Sequence, residues 1–147
     1  MHRSSISNTI KIVSEILQIT EAKSYPNGWE MIIEGNDSAI ITLNEKSEVL
    51  EVSVSLTLNE TVPINEYYET LLRFNALGHE TGGLKFFIEG GEEPDLILSF
   101  PISVSCFVPD QVASLIENLF KVKRQWETLL NATNTSQDAA STFGMMV

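Results

Sequence analysis

Ten residues in the first half of the chain do most to limit its fold. Leu50, Val52, Val54, Leu56 and Leu58 alternate without interruption against Glu51, Ser53, Ser55, Thr57 and Asn59. Successive side chains of a strand point to opposite faces, so this period of two specifies a strand with one buried face and one wet face. A helix would scatter the same five apolar residues around its circumference. Two neighbours precede this strand. Trp29, Met31 and Ile33 alternate with Glu30, Ile32 and Glu34, and Ala39 to Leu43 reads as a further strand. Gly35-Asn36-Asp37-Ser38 and Asn44-Glu45-Lys46-Ser47 are the turns between them. Connections this short join antiparallel strands, because a parallel pair needs a crossover of a dozen or more residues.

Helical periods flank this meander. Ile6, Ile10, Val13 and Leu17 share one face at offsets of four, three and four, widened by Ile12 and Ile16, which predicts a helix over 5–21. Ser4 or Ser5 suits its N-cap, and Tyr25-Pro26-Asn27-Gly28 is expected to stop it. A second helix follows Pro63 and carries Ile64, Tyr67, Tyr68, Leu71, Leu72 and Phe74, with Gly78 expected at its end. Gly82-Gly83 turns into a strand in which Leu84, Phe86 and Ile88 form the expected buried set. Gly90 to Asp95 reads as a hairpin loop. The last strand buries Leu96, Leu98, Phe100 and Ile102, and Pro101 marks its end or an edge, because proline cannot donate to a ladder. The final helix spans 109–131, with Val112, Leu115, Ile116, Leu119, Val122, Trp126, Leu129 and Leu130 on its apolar side. Asp110 near its start and Lys121, Lys123 and Arg124 further on match the helix dipole. The expected fold is α+β: helix, three strands, helix, two strands, helix, with a mostly antiparallel, bent five-stranded sheet. One domain covers 1–133, and a polar tail of 134–147 follows, flexible apart from an apolar end at 143–147.

Charge narrows the range of partners. The 147-residue chain has a net charge of −11, and between Ser24 and Phe120 sixteen acidic residues face three basic ones, Lys46, Arg73 and Lys85. Such a body repels phosphate backbones and anionic membranes; the charge either serves solubility or selects partners with basic segments. No apolar run approaches the roughly 20 residues of a spanning helix. The basic start MHRSSISNTI lacks an apolar core behind it, so no secretory leader is expected. The single cysteine, Cys106, lies in an apolar stretch and reads as a buried, inert thiol in a reducing cytoplasm.

Reactive groups are sparse. His2 lies at the start of the chain, and His79 sits between a helix and a glycine turn, without the context of a base. No serine occupies a G-x-S-x-G elbow. Glu89, Glu92, Glu93 and Asp95 cluster, yet their spacing is not that of a calcium loop, and Thr81-Gly82-Gly83 is too short to cradle phosphate. No catalytic residue, metal or cofactor is expected. The informative residues are apolar. Ile32, Ile40, Phe87 and Ile97 fall on the face opposite the buried sets. A sheet with one wet face does not need them, so another subunit, a partner segment or a helix of this chain must cover that side.

The stretch Leu71-Leu72-Arg73-Phe74-Asn75, then Gly82-Gly83-Leu84, then Leu96-Ile97-Leu98-Ser99-Phe100-Pro101, then Leu115-Ile116-Glu117-Asn118-Leu119 resembles the type III secretion chaperone-like superfamily. The resemblance extends to element order across 5–131. Lys85-Phe86-Phe87 departs from it in being bulkier than the small residues expected after the double glycine, and the tail has no counterpart. The resemblance implies a small, acidic, cytoplasmic homodimer that binds an extended segment of a client protein without ATP. The expected function is therefore a non-enzymatic chaperone- or adaptor-like module. Its partner or dimer face would comprise Ile32, Ile40, Tyr67, Tyr68, Phe87 and Ile97. The alternative is a small-ligand or sensory domain with a cavity between helix and sheet.

Overall fold

The structure, a computed structural model, describes residues 2–33, 37–90 and 95–132. The expected tail, most of the 90–95 loop and part of the first turn lie outside these. In chain order the elements are α1 (His2–Ile16), β1 (Glu21–Tyr25), β2 (Gly28–Ile32), β3 (Ser38–Asn44) and β4 (Val49–Ser55). A 3-10 turn (Ile64–Tyr67) then leads into α2 (Tyr68–Ala76) and the short α3 (Gly78–Thr81). β5 (Lys85–Glu89), β6 (Asp95–Ser103), a 3-10 turn (Val104–Cys106) and α4 (Pro109–Ala132) complete the domain.

The sheet has six strands where five were expected, and the difference arises at the end of α1. That helix stops at Ile16, five residues early. Gln18 takes a left-handed conformation (φ 55°), Ile19 N–H donates to the Ser14 carbonyl (2.8 Å) and Gln18 N–H to that of Glu15 (3.3 Å). This is the paired closure of a Schellman motif, usually built on glycine and here on glutamine. The freed residues form β1, which is exposed along its whole length. Pro26-Asn27, expected to stop a helix, instead makes the turn of a β1–β2 hairpin in which Tyr25 opposes Gly28. Gly28 is required there by space, because a Cβ would stand 2.2 Å from the Ile41 carbonyl oxygen across the sheet. From α1, the Arg3 guanidinium holds the turn by donating to the Pro26 carbonyl (3.1 Å), the Ser24 hydroxyl (2.9 Å) and the Tyr25 carbonyl. It also stacks 4.6 Å above the Trp29 ring.

The strand order is β1-β2-β3-β4-β6-β5, antiparallel throughout. β6 inserts beside β4, and β5 forms the outer edge. β5 pairs only with residues 95–99, so Pro101 has a strand on one side alone, as a residue without an N–H requires.

One face of the sheet meets α1 and α4. Ile6, Ile10 and Val13 pack with Met31, Ile41, Leu50, Val52 and Leu98, and with Val112, Ile116, Leu119 and Leu130 of α4, all nearly excluded from solvent. Each such side chain contributes roughly 1.5–3 kcal/mol by burial. α2 packs beside β5, where Phe74, Phe86 and Trp126 form an aromatic triad with centroids 5.0–5.5 Å apart. Lys123, one of the cations in the later part of α4, lies on the inward side of that helix. Its ammonium is buried and bonds Glu127 (2.6 Å) and Asp37 (3.0 Å). Glu127 also accepts from the Thr57 N–H, which ties α4 to the chain beyond β4. Cys106 is exposed, contrary to expectation. Val104 and Phe107 take the inward positions where the chain leaves β6, and this turns the thiol outward.

Candidate partner-binding surface

The registers of the five pairings arrange the outer face in cross-strand rows. One row runs Glu21, Ile32, Ser38, Ser55, Ile97, Phe87 from β1 to β5, and the next runs Lys23, Glu30, Ile40, Ser53, Ser99, Lys85. The β2–β4 meander places Ile40 beside the first row, and the β5–β6 hairpin brings Phe87 directly opposite Ile97. Ile40 and Phe87 remain 46% and 42% exposed, so the described helices leave this side open.

Ile40, Ile97 and Phe87 line one depression of about 480 Å³, with Ser38, Ser53 and Ser55 on its floor. Its polar side is internally satisfied. Ser53 donates to Ser99 (3.2 Å), Ser99 donates to Glu51 (2.8 Å), and Lys85 approaches Glu51 at 3.9 Å while lying over the Phe87 ring. These contacts leave Ser99 fully buried on the face away from α1 and α4. Ile32 belongs to the same row as Ile97 but stands three strands away, about 14 Å at the usual strand spacing, and is outside the depression.

The two tyrosines separate. Tyr67 is half-buried and packs against the core, whereas Tyr68 is exposed. With Leu72, Phe87 and Ile88, Tyr68 lines a second groove of about 310 Å³ between α2 and β5. Leu72 (67% exposed) and Ile88 (44% exposed) were assigned to buried faces by periodicity. They emerge because β5 is an edge strand, with no further strand beyond it among the described residues. The groove is the counterpart of the expected helix–sheet cavity, and it opens at the surface through these residues.

The rim is acidic. Glu51 and Glu89 line the first depression, Glu60 and Asp95 line a separate recess beside 56–68, and Glu66 is exposed, while Arg73 is engaged by Glu69 (2.7 Å) and Lys85 by Glu51. Among the described residues no three His, Cys, Asp or Glu side chains are placed to hold a metal ion. His79 is exposed on α3, and among the described residues no carboxylate or thiol pairs with it. No described helix is long and apolar enough to cross a membrane.

Solved structures share this architecture. The ExsC–ExsE complex matches with a TM-score of 0.69 at 16% identity, over 87% of this chain and 95% of that one. The HopA1–SchA chaperone–effector complex matches at 0.63 and 14% identity, over 79% and 88%. The Yersinia pestis type III secretion chaperone SycH, in complex with a stable fragment of YscM2, matches at 0.62 and 12% identity, over 82% and 98%. The fold is that of the type III secretion chaperones, α+β with a six-stranded antiparallel sheet. At such identities the likeness defines the fold alone. No protein-family model matches the chain, and no curated protein matches it in sequence.

Proposed function

We propose that the protein is a non-enzymatic chaperone- or adaptor-like module that holds an apolar segment of a partner protein on the outer face of its sheet. The observation that carries this reading is the open depression of Ile40, Phe87 and Ile97 on a face whose opposite side is fully used by α1 and α4. Chaperone–effector complexes among the structural neighbours support it. The acidic rim selects segments whose apolar residues are flanked by Lys or Arg, which also speeds encounter. Two or three large apolar side chains at roughly 1.5–3 kcal/mol each suffice for useful affinity after ordering costs. The protein acts in a reducing cytoplasm as a homodimer, its copies meeting through α2 and the neighbouring strand edge, where Tyr68, Leu72 and Ile88 are exposed.

The test uses peptides selected for binding from a displayed random library. The selected peptides should be apolar with basic flanks. The double variant Ile40→Ser with Phe87→Ser should bind them at least about tenfold more weakly, the equivalent of one lost apolar contact, with its melting curve unchanged. Equal binding by the double variant, or selection of acidic peptides, overturns the reading. Sedimentation equilibrium tests the dimer, which should show twice the 16.4 kDa chain mass.

A further inference from the structure

The outer edge of β5 carries backbone groups that another strand would pair with, and side chains close it selectively. In an antiparallel ladder the N–H and C=O of one residue point to the same side, and successive residues alternate sides. Phe86 N–H donates to Asn75 Oδ1 (2.7 Å) and Asn75 Nδ2 donates to the Phe86 carbonyl (3.0 Å). Both backbone groups of Phe86 therefore face away from β6, and so do those of Leu84 and Ile88. The Asn75 carboxamide makes the two reciprocal bonds that an antiparallel partner residue would make. Thr81 Oγ1 shares its one proton between the Leu77 carbonyl (3.2 Å) and the Leu84 carbonyl (3.3 Å). The N–H and C=O of Ile88 have no partner among the described residues. Among the described residues the edge is thus closed at 86, engaged only at the carbonyl at 84, and open at 88.

The same substitution of a side chain for a strand recurs at the extension of β4. There Asn131 of α4 accepts from Asn59 N–H (2.7 Å) and donates to the Thr57 carbonyl (3.2 Å).

We infer that Asn75 is an edge guard: its carboxamide occupies the strand position beside Phe86 and so prevents β5 of a second copy of this chain from extending the sheet. Copies that meet along this side do so through side chains, and the sheets stay separate. An edge strand with exposed Phe87 and Ile88 next to free backbone groups is the arrangement that natural sheets protect against edge-to-edge association. The inference stands independently of any client on the outer face, since it concerns backbone groups at the edge and not the depression.

The test compares the full chain with Asn75→Ala by sedimentation velocity over a range of concentrations, with hydrogen exchange at the Phe86 amide. Two recovered backbone hydrogen bonds correspond to roughly tenfold to a hundredfold in an association constant. The wild type should keep one size, with the Phe86 amide protected. Asn75→Ala should associate more tightly than the wild type, with an infrared signature of intermolecular strands that the wild type lacks. Adding Ile88→Pro removes an outward N–H that β6 does not use, and it should abolish the new association. A folded Asn75→Ala that associates no more tightly than the wild type and shows no intermolecular-strand signature overturns the inference, and so does a signature that survives Ile88→Pro. If Asn75→Ala does not fold, Asn75→Ser is read by the same criteria.

Discussion

Replacing Lys123 with methionine tests whether α4 is fastened to the sheet by charge as well as by packing. The ammonium lies within a site where its own side chain is 3% exposed, Glu127 15% and Asp37 29%. Methionine fills most of the same volume, so the effect isolates the charge. Breaking a buried pair by removing one partner costs about 3–5 kcal/mol, because the other charge stays buried. Two features reduce that figure here. Asp37 reaches solvent, and Glu127 retains the Thr57 N–H as a donor. The expected loss is about 2–3 kcal/mol. At roughly 2–4 °C per kcal/mol for a domain near this size, the melting temperature should fall by about 4–12 °C. Urea unfolding should show a lower midpoint with an unchanged slope. Adding Glu127→Gln should recover part of the loss, since the amide oxygen still accepts from Thr57 and no stranded carboxylate remains. A Lys123→Met variant within about 0.5 kcal/mol of wild type, the range of an ordinary surface substitution, refutes the reasoning. Strict additivity with Glu127→Gln refutes it too.

Other outcomes follow from single positions. Gly28→Ala places a Cβ against the Ile41 carbonyl, so β2 and β3 must part locally, and chemical denaturation should show a loss of about 1–3 kcal/mol or more. Phe86→Ala empties one corner of the triad with Phe74 and Trp126 and should cost about 3–5 kcal/mol, with a change in Trp fluorescence before any unfolding. Cys106 is exposed, and side-chain hydrogen bonds with Ser103 first and Ser105 second hold its thiol below the usual pKa. A lowered pKa means more thiolate at a given pH below the titration midpoint, so the native protein should react fully with a disulfide reagent without denaturant. Ser103→Ala should move the thiolate absorbance titration to higher pH, and by more than Ser105→Ala.

Legibility tracked how strongly an element depends on its own apolar periodicity. The alternation that begins at Leu50 lies in β4 and the apolar stripe of the last helix lies in α4, although β4 ends at Ser55 and residues 56–59 lie beyond it. β1 contributes no apolar stripe. Glu-Ala-Lys-Ser-Tyr is held by pairing to β2 and by Arg3, and neither is visible in local sequence. The end of α1 was hidden because glutamine, not glycine, adopts the left-handed cap. The burial of Lys123 was equally invisible, because its partner Asp37 lies eighty-six residues away in the chain. Strand order was also out of reach. Alternation says which face a residue takes, but only the insertion of β6 beside β4 makes β5 an edge and leaves Leu72 and Ile88 in solvent.

The candidate surface depended on both kinds of information. Ile32, Ile40, Phe87 and Ile97 were recognisable as misplaced because period two assigns each to the wet face. Which of them can act together depends on register. Phe87 and Ile97 are cross-strand partners, Ile40 reaches the same depression from the adjacent row, and Ile32 is separated by two serines on intervening strands. The polar chain of Ser53, Ser99, Glu51 and Lys85 bounds the apolar patch on its other side and is already satisfied internally. A segment docking there need not supply hydrogen bonds to those groups. On the proposed function it would gain by burying alternate apolar side chains, with its flanks towards Glu89 at the depression and Asp95 opposite Glu89 on β6. Charge-reversing those two acids should therefore slow association with a basic-flanked peptide and weaken its salt dependence, whereas serine at Ile40 and Phe87 should speed dissociation. Stopped-flow binding at two ionic strengths separates these effects, and a change confined to dissociation in both sets would remove the electrostatic half of the proposal.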